Sequence, residues 1–160
     1  MSRGARQLLF VCSGNICRSP AAEALCRQAL EHSGRKGWRV GSCGTLKIPG
    51  EPAAPNTIRA LDERGVDLEE FRSRPMTYFL LREADWIVCM EQHHVDAVVE
   101  ELGGDLDLVE RIAVITEFHP NPDFRNDAGI YDFVKAPWEE YREGIDELER
   151  CVLSLVENLP

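Results

Sequence analysis

The chain has 160 residues, a net charge of −10 at pH 7 and a hydrophobic share of 44%. This length and this apolar share predict one folded domain over residues 1–160 and exclude a disordered chain. The acidic balance argues against a nucleic-acid partner, and no apolar run approaches the roughly 20 residues of a membrane span. Because the apolar stretch after the basic N-terminus is too short for a signal peptide, we expect a cytoplasmic protein.

Strand-like and helix-like segments alternate along the chain. The apolar patterns predict strands over residues 7–11, 38–43, 85–90 and 111–115. The first predicted helix begins at Ser19 and Pro20, as cap and first turn, and ends near residues 33–34. Further helices are predicted over residues 56–64, 77–83 and 92–102, and a final helix has an inward stripe from 138 to 155. This alternation predicts an α/β fold, a small doubly wound sheet of four parallel strands with helices on both faces.

A phosphate-binding loop is predicted directly after the first strand, where residues 11–20 read V-C-S-G-N-I-C-R-S-P. A loop this short turns its backbone N–H groups toward one centre, to which the next helix adds its dipole. Gly14 and Asn15 tolerate the positive φ that such a turn needs. Arg18 can bind two oxygens of the anion. The same field favours the thiolate of Cys12, which is a nucleophile for phosphorus.

The other cysteines and the histidines do not follow a metal-binding or disulfide pattern. Cys26 and Cys89 fall in apolar patterns and are predicted in the core. His93 and His94 are neighbours on a predicted helix, where side chains diverge by about 100°, so they are poor co-ligands. The sequence therefore predicts no metal site.

Attack of sulfur on a phosphate ester also needs an acid that protonates the leaving oxygen. The turn-rich segment 117–137, between the last strand and the last helix, is predicted to be a mobile loop above the phosphate site. Three aspartates in it compete for this role, namely Asp123, Asp127 and Asp132, and composition does not choose between them.

The segment from Val11 to Pro20 resembles the phosphate-binding loop of the low-molecular-weight protein tyrosine phosphatases, V-C-x-G-N-x-C-R-S-P, at every fixed position. The resemblance covers nearly the whole chain and is looser outside the loop. It implies a doubly wound phosphomonoesterase that acts on protein phosphotyrosine through a phosphocysteine, without metal or cofactor. We expect a monomer whose partner is a phosphotyrosine-containing protein.

The resemblance also implies roles for single residues. Cys12 is the nucleophile, Arg18 binds the phosphate, and Asp132 is the proton donor because it lies nine residues before Tyr141, as the family's acid does before an aromatic residue. Ser19 would hydrogen-bond the sulfur. Asn15, supported by Ser42, would hold the loop, and a Cys12–Cys17 disulfide would protect the nucleophile. The predicted substrate-binding residues are Ser13, Gly14, Asn15, Ile16, Cys17, Ser19 and Phe133.

The sequence departs from the family around the expected acid. Phe133 stands where the family has proline, and Val134 stands where it has an aromatic residue, so Phe133 is expected to supply the aromatic face from one position earlier. The opposite wall, residues 46–49, is aliphatic instead of aromatic. By the same resemblance Arg74 is expected to be buried and to pair with Glu91, although an exposed pair is the default for two charges.

Three alternative functions remain open. Related arginine phosphatases carry Thr where this chain has Ile16, which favours tyrosine. Related arsenate reductases need two further cysteines close together, whereas Cys89 is isolated and Cys151 is remote. A phosphate-binding module with little turnover is the third alternative, because the segment after Asp132 is altered.

Overall fold

The computed structural model describes residues 4–160, and its four strands form a parallel sheet in the order β2-β1-β3-β4. The strands are β1 (Arg6–Cys12), β2 (Trp38–Gly44), β3 (Trp86–Cys89) and β4 (Ile112–Val114). The helices are α1 (Arg18–His32), α2 (Pro55–Asp62), α3 (Tyr78–Glu83), α4 (Gln92–Glu101), α5 (Leu106–Val109) and α6 (Trp138–Glu157). Two 3₁₀ helices, Ile115–Phe118 and Pro122–Phe124, follow β4. The predicted α/β architecture is confirmed.

Successive residues of β1 face opposite sides of the sheet and supply two separate cores. Leu8 and Phe10 pack with α1, α2 and α6, whereas Leu9 and Val11 pack with α3 and α4. Both faces of the strand are thus buried, as a parallel sheet requires. Because the strands are parallel, their carboxyl ends meet at one edge, where the loop after Cys12 lies beside the residues that follow β3.

The final helix, α6, packs with α1 and α2 in the core on its side of the sheet. The predicted inward stripe is confirmed except at its first residue, Trp138, which is only partly buried; its fully buried members are Tyr141, Ile145, Leu148, Val152 and Leu155. No helix among residues 4–160 combines the length and the apolar character needed to cross a membrane.

Most predicted boundaries agree with the structure to within about two residues, which is the usual disagreement at element ends. The predicted N-cap of α1 is wrong. The helix begins at Arg18, so Ser19 lies in its first turn and Cys17 occupies the cap position without a capping hydrogen bond. The Ser19 hydroxyl is not available as a cap because it bonds to Cys12 and Asn15. The short helix α5 was not predicted.

Candidate active site

The loop that joins β1 to α1 forms the floor of a cleft of about 270 Å³ at the carboxyl edge of the sheet. Cys12, Ser13 and Gly14 line the floor together with Arg18. The cleft therefore lies where ligands bind in open parallel sheets, at the ends of the strands and in front of a helix N-terminus.

Asn15 holds the loop in its turn from the inside. It has a φ of 57° and a fully buried side chain. Its Oδ1 accepts from the backbone N–H of Arg74 at 2.8 Å, and its Nδ2 donates to Ser19 at 2.8 Å and to Ser42 at 2.9 Å. Gly44 completes this packing, because a Cβ there would lie 2.6 Å from the loop backbone.

A directed chain of buried hydrogen bonds ends on the sulfur of Cys12. The Glu23 carboxylate can only accept, so Ser42 donates to it at 2.8 Å and in turn accepts from Asn15. Asn15 uses its two amide hydrogens on Ser42 and Ser19. The hydroxyl hydrogen of Ser19 is thereby left for Cys12 Sγ, 2.9 Å away. A hydrogen bond donated to sulfur favours the thiolate over the thiol.

Arg18 is 1% exposed and is fixed from behind. Its Nη1 donates to Glu91 Oε2 at 2.6 Å and to the carbonyl of Ile130 at 2.7 Å. Its Nη2 lies 3.9 Å from Asp132 Oδ2, beyond hydrogen-bond distance. Burial alone would raise the pKa of Glu91, but hydrogen bonds from Arg18 and His93 outweigh it and hold that pKa below its usual range. Glu91 is therefore a carboxylate that orients Arg18.

The expected pair of Arg74 and Glu91 is not formed, and Arg74 is exposed rather than buried. Glu91 follows β3 at the edge where the loop lies, so its carboxylate pairs with Arg18 and not with Arg74. The Arg74 guanidinium instead donates through Nε to the carbonyl of Ser42 at 3.2 Å.

His94 contacts the loop from the first turn of α4, a role that the sequence analysis does not predict. Its Nδ1 accepts from the backbone N–H of Glu91 at 3.0 Å, so its proton is on Nε2, which donates to Ser13 Oγ at 2.8 Å. Burial, followed by the nearby charges of His93 and Arg18, lowers the pKa of His94 to about 3. The only sequence signal for this contact is a polar side chain in the first turn of the helix that follows an apolar strand.

His93 and His94 lie closer than their predicted divergence suggests, with ring centroids 4.0 Å apart. Together with Glu91 they bring possible metal ligands within 4.8 Å of one another. Each of these groups already has a protein partner: Glu91 binds Arg18, His93 binds Glu91, and His94 binds Ser13. The cluster therefore supports the phosphate-binding loop, because two of its members bind Arg18 and Ser13.

Of the three competing aspartates, the structure places Asp132 in the cleft. Its side chain is 48% exposed, and its Oδ1 accepts from the backbone N–H of Val134 at 3.0 Å. Asp123 and Asp127 are exposed and do not line the cleft. Asp132 is thus the one of the three that lines the cleft, with its carboxylate 3.9 Å from Arg18 Nη2.

The prediction that Phe133 binds substrate is wrong. Phe133 is fully buried and packs edge-on against Tyr141, with ring centroids 4.9 Å apart. Its ring occupies the space above Gly144, where any Cβ would overlap it. Val134, the next residue, lines the cleft instead.

Apart from the carboxylates of Glu51 and Asp132, the walls of the cleft are aliphatic. Ile16, Leu46, Ile48, Pro52 and Val134 form them, and Leu46 and Ile48 are 63% and 41% exposed. An aliphatic slot above an anion-binding floor fits the flat apolar ring of a phenyl phosphate, although without the stacking that an aromatic wall adds.

Cys17 lines the cleft but is only 4% exposed. Tyr141 donates to its Sγ at 3.1 Å, and Thr57 lies 2.5 Å from the Tyr141 hydroxyl. Burial raises the pKa of Cys17 to about 12, so it is a thiol at neutral pH. Asn15 and Ser19 are fully buried and shape the loop without lining the cleft.

Comparisons with known proteins show which proteins the chain resembles in sequence and fold. Residues 7–160 match the model of the family described as low molecular weight phosphotyrosine protein phosphatase. A protein-arginine-phosphatase of Bacillus subtilis is 30% identical over 95% of both chains. A probable low molecular weight protein-tyrosine-phosphatase, EpsP, of Ralstonia solanacearum is 41% identical, over 53% of this chain and 55% of its own length. The solved structure of a low molecular weight protein tyrosine phosphatase from T. tengcongensis superposes with a TM-score of 0.85, at 28% identity, over 97% of this chain and 100% of its own.

Proposed function

Because the chain belongs to the low molecular weight phosphotyrosine protein phosphatase family, we propose that it removes phosphate from protein phosphotyrosine through a phosphocysteine at Cys12. The observation that carries the proposal is the directed hydrogen-bond chain that ends on Cys12 Sγ in the same floor as Arg18. We further propose a cytoplasmic monomer. The free state of all six cysteines supports a reducing compartment.

The first step transfers phosphorus from oxygen to sulfur. The Cys12 thiolate attacks the phosphorus, an S–P bond forms and the bond to the phenolic oxygen breaks. Nη1 of Arg18 is held by Glu91, so Nη2 is left to bind an equatorial oxygen of the phosphate together with the loop amides. Asp132 donates its proton to the leaving phenolate, which is a much better leaving group once protonated.

The second step regenerates the enzyme. Water attacks the phosphorus of the phosphocysteine while Asp132, now a carboxylate, accepts the proton of that water. The S–P bond breaks, orthophosphate leaves and the thiolate returns to the hydrogen bond of Ser19. None of these steps requires a metal ion, so the activity is expected to persist in EDTA.

The test compares hydrolysis of p-nitrophenyl phosphate and a phosphotyrosine peptide, in EDTA, by the wild type and three variants. Cys12→Ser is expected to lose turnover, and Asp132→Asn to lose roughly 10²–10⁴-fold in kcat. Asp123→Asn, the matched control outside the cleft, should match the wild type. A wild type no faster than Cys12→Ser would refute the enzyme and favour a phosphate-binding module.

Arginine phosphatase activity is the second candidate, because the B. subtilis relative that aligns over 95% of both chains carries that name. The aliphatic Ile16 in the cleft supports a preference for the phenyl ring of phosphotyrosine. Matched peptides that carry phosphotyrosine or phosphoarginine would decide, and a higher kcat/KM for phosphoarginine would overturn the tyrosine assignment. Arsenate reduction is disfavoured because Cys89 and Cys151 are fully buried.

We also propose a reversible redox control at the same site. Peroxide would oxidise Cys12 to a sulfenic acid and release water. The Cys17 sulfur would then attack it, forming the Cys12–Cys17 disulfide and a second water. The hydrogen bond from Tyr141 supports this by holding Cys17 at the cleft. Peroxide-treated enzyme should regain activity in dithiothreitol, and recovery that is unchanged in Cys17→Ala would exclude the disulfide.

A further inference from the structure

A second cavity, of about 340 Å³, lies beside the edge strand β2 and is lined by an unusual number of arginines. Arg27, Arg39, Arg72 and Arg74 all line it. Glu23 is the one carboxylate among the lining residues, and Arg27 Nη1 already binds it at 2.6 Å. In a chain of net charge −10, this cavity is thus a local excess of positive charge.

Two of these guanidinium groups are fixed on the backbone of β2. Arg27 donates through Nη2 to the carbonyl of Val40 at 2.5 Å, and Arg74 donates through Nε to the carbonyl of Ser42 at 3.2 Å. Arg74 lies across Gly41, where a Cβ would be 2.6 Å from Nη2. A glycine within the strand therefore makes room for Arg74, and two of the four guanidinium groups are held in place by the strand before any ligand binds.

Protection of the exposed strand edge explains part of this arrangement, since charged side chains often cover edges. It does not explain Arg39, whose guanidinium has no hydrogen bond or ion pair within residues 4–160. Nor does it explain why four like charges share one cavity, where they repel one another. A bound oxyanion would remove this repulsion, and guanidinium groups bind phosphate oxygens in pairs.

We propose that this cavity, the β2 arginine cavity, is a second oxyanion site that binds a phosphate group. Its ligand is orthophosphate or a small phosphate monoester, because its volume lies at the lower end of the range for small-molecule sites. Phe71 provides an apolar wall that an organic group on the monoester would contact. The site uses no residue assigned a step in the phosphatase reaction.

The test is a two-dimensional NMR titration of the full chain with inorganic phosphate, compared with sodium chloride at the same ionic strength. The backbone amides of Arg39 and Gly41 should shift and saturate with their own dissociation constant, separately from the loop amide of Gly14. Adenosine monophosphate is the second probe. Tighter binding than orthophosphate would show that the organic group contributes, and equal binding would show recognition of phosphate alone; both outcomes support the site.

Single variants distinguish phosphate binding by specific arginines from a general electrostatic attraction of phosphate to the protein surface. Arg39→Ala and Arg74→Ala should each weaken phosphate binding at the β2 amides by roughly tenfold or more, the worth of a hydrogen bond to a charged group. Arg150→Ala, an exposed arginine on α6, is the matched control and should bind as the wild type does. Amides of β2 that do not shift, or that shift equally in chloride, would overturn the proposal. The experiment needs no turnover, so its result is independent of the proposed phosphatase activity.

Discussion

The sulfur of Cys12 shows how one buried atom depends on a row of hydrogen-bonded side chains that begins at a carboxylate. The Glu23 carboxylate fixes the direction of every hydrogen bond in the row, because it accepts and cannot donate. If Ser19 donated elsewhere, the thiolate would lose its nearest side-chain donor. The hydrogen-bond support of the nucleophile therefore comes from residues that do not line the cleft.

Replacing Ser19 with alanine tests this dependence. Ser19→Ala removes the donor 2.9 Å from Cys12 Sγ and leaves the second hydrogen of Asn15 Nδ2 unpaired. We expect alkylation of Cys12 by iodoacetamide at pH 7, and kcat for p-nitrophenyl phosphate, to fall by about tenfold. Ser33→Ala, at the exposed end of α1, should leave both rates unchanged. Unchanged alkylation in Ser19→Ala would mean that the loop amides alone stabilise the thiolate.

His94 gives a prediction about stability in acid. Its folded-state pKa of about 3 lies below the ordinary 6.5, so below pH 6.5 the unfolded chain binds a proton that the folded chain does not. The free energy of unfolding must then decrease as the pH falls from about 6.5 toward 3, by roughly 1–2 kcal/mol between pH 7 and pH 5.

Urea unfolding at pH 7 and pH 5 checks this sign. His94→Gln cannot be protonated but keeps a donor for Ser13, so its loss of stability between the two pH values should be smaller than that of the wild type. His32→Gln, on the exposed end of α1, should retain the wild-type difference. An equal loss in wild type and His94→Gln would contradict the buried neutral imidazole.

At the scale of elements, α6 positions the segment that carries Asp132. Phe133 packs over Gly144 and against Tyr141, and this anchors the backbone of its neighbours Asp132 and Val134 at the cleft. A helix interior normally disfavours glycine by about 1 kcal/mol relative to alanine. The glycine is therefore best explained by the aromatic ring that it accommodates.

Gly144→Ala tests this packing, since the two effects of the change have opposite signs. Helix propensity alone would raise the free energy of unfolding, whereas displacement of the Phe133 ring should lower it by about 1–3 kcal/mol. We expect the packing effect to dominate and kcat to fall as well, because Asp132 moves with its neighbour. Glu143→Ala, on the exposed face beside it, provides the control for propensity. A Gly144→Ala protein more stable than the wild type would show that the ring is not tightly held.

Local parts of the site were predictable from the sequence, because neighbours along the chain create them. The strand, the tight turn and the helix that surround Cys12 and Arg18 follow from a run of residues with strong preferences. The stripe on α6 has an equally clear helical period. The resemblance to a known family, and not composition, selected Asp132 among three aspartates.

Contacts between distant segments could not be predicted in the same way. Glu91 pairs with Arg18 from 73 residues away, and His94 reaches Ser13 from 81 residues away, so their partners depend on strand order and register. The inward direction of Phe133 depends on a missing Cβ at Gly144. Neither the pairing of Glu91 with Arg18 nor the burial of Phe133 leaves a periodic pattern in the sequence. The predictions for Arg74 and Phe133 were wrong for this reason.

At the scale of the whole molecule, a net charge of −10 surrounds a cleft that is proposed to receive a dianion. The long-range field should slow the approach of phosphate esters, while the loop amides and Arg18 attract them only at close range. Salt shortens the reach of the field, from a Debye length of about 30 Å at 0.01 M to about 8 Å at 0.15 M.

We therefore expect kcat/KM for p-nitrophenyl phosphate to rise by roughly two- to fivefold when sodium chloride is raised from about 0.01 to 0.15 M. Because repulsion acts on encounter, KM should carry the change and kcat should stay constant. Alkylation of Cys12 by uncharged iodoacetamide is the control, and its rate should not change with salt. If kcat/KM instead falls as salt is added, the positive field of Arg18 and the loop amides extends beyond the cleft and outweighs the net charge of the chain.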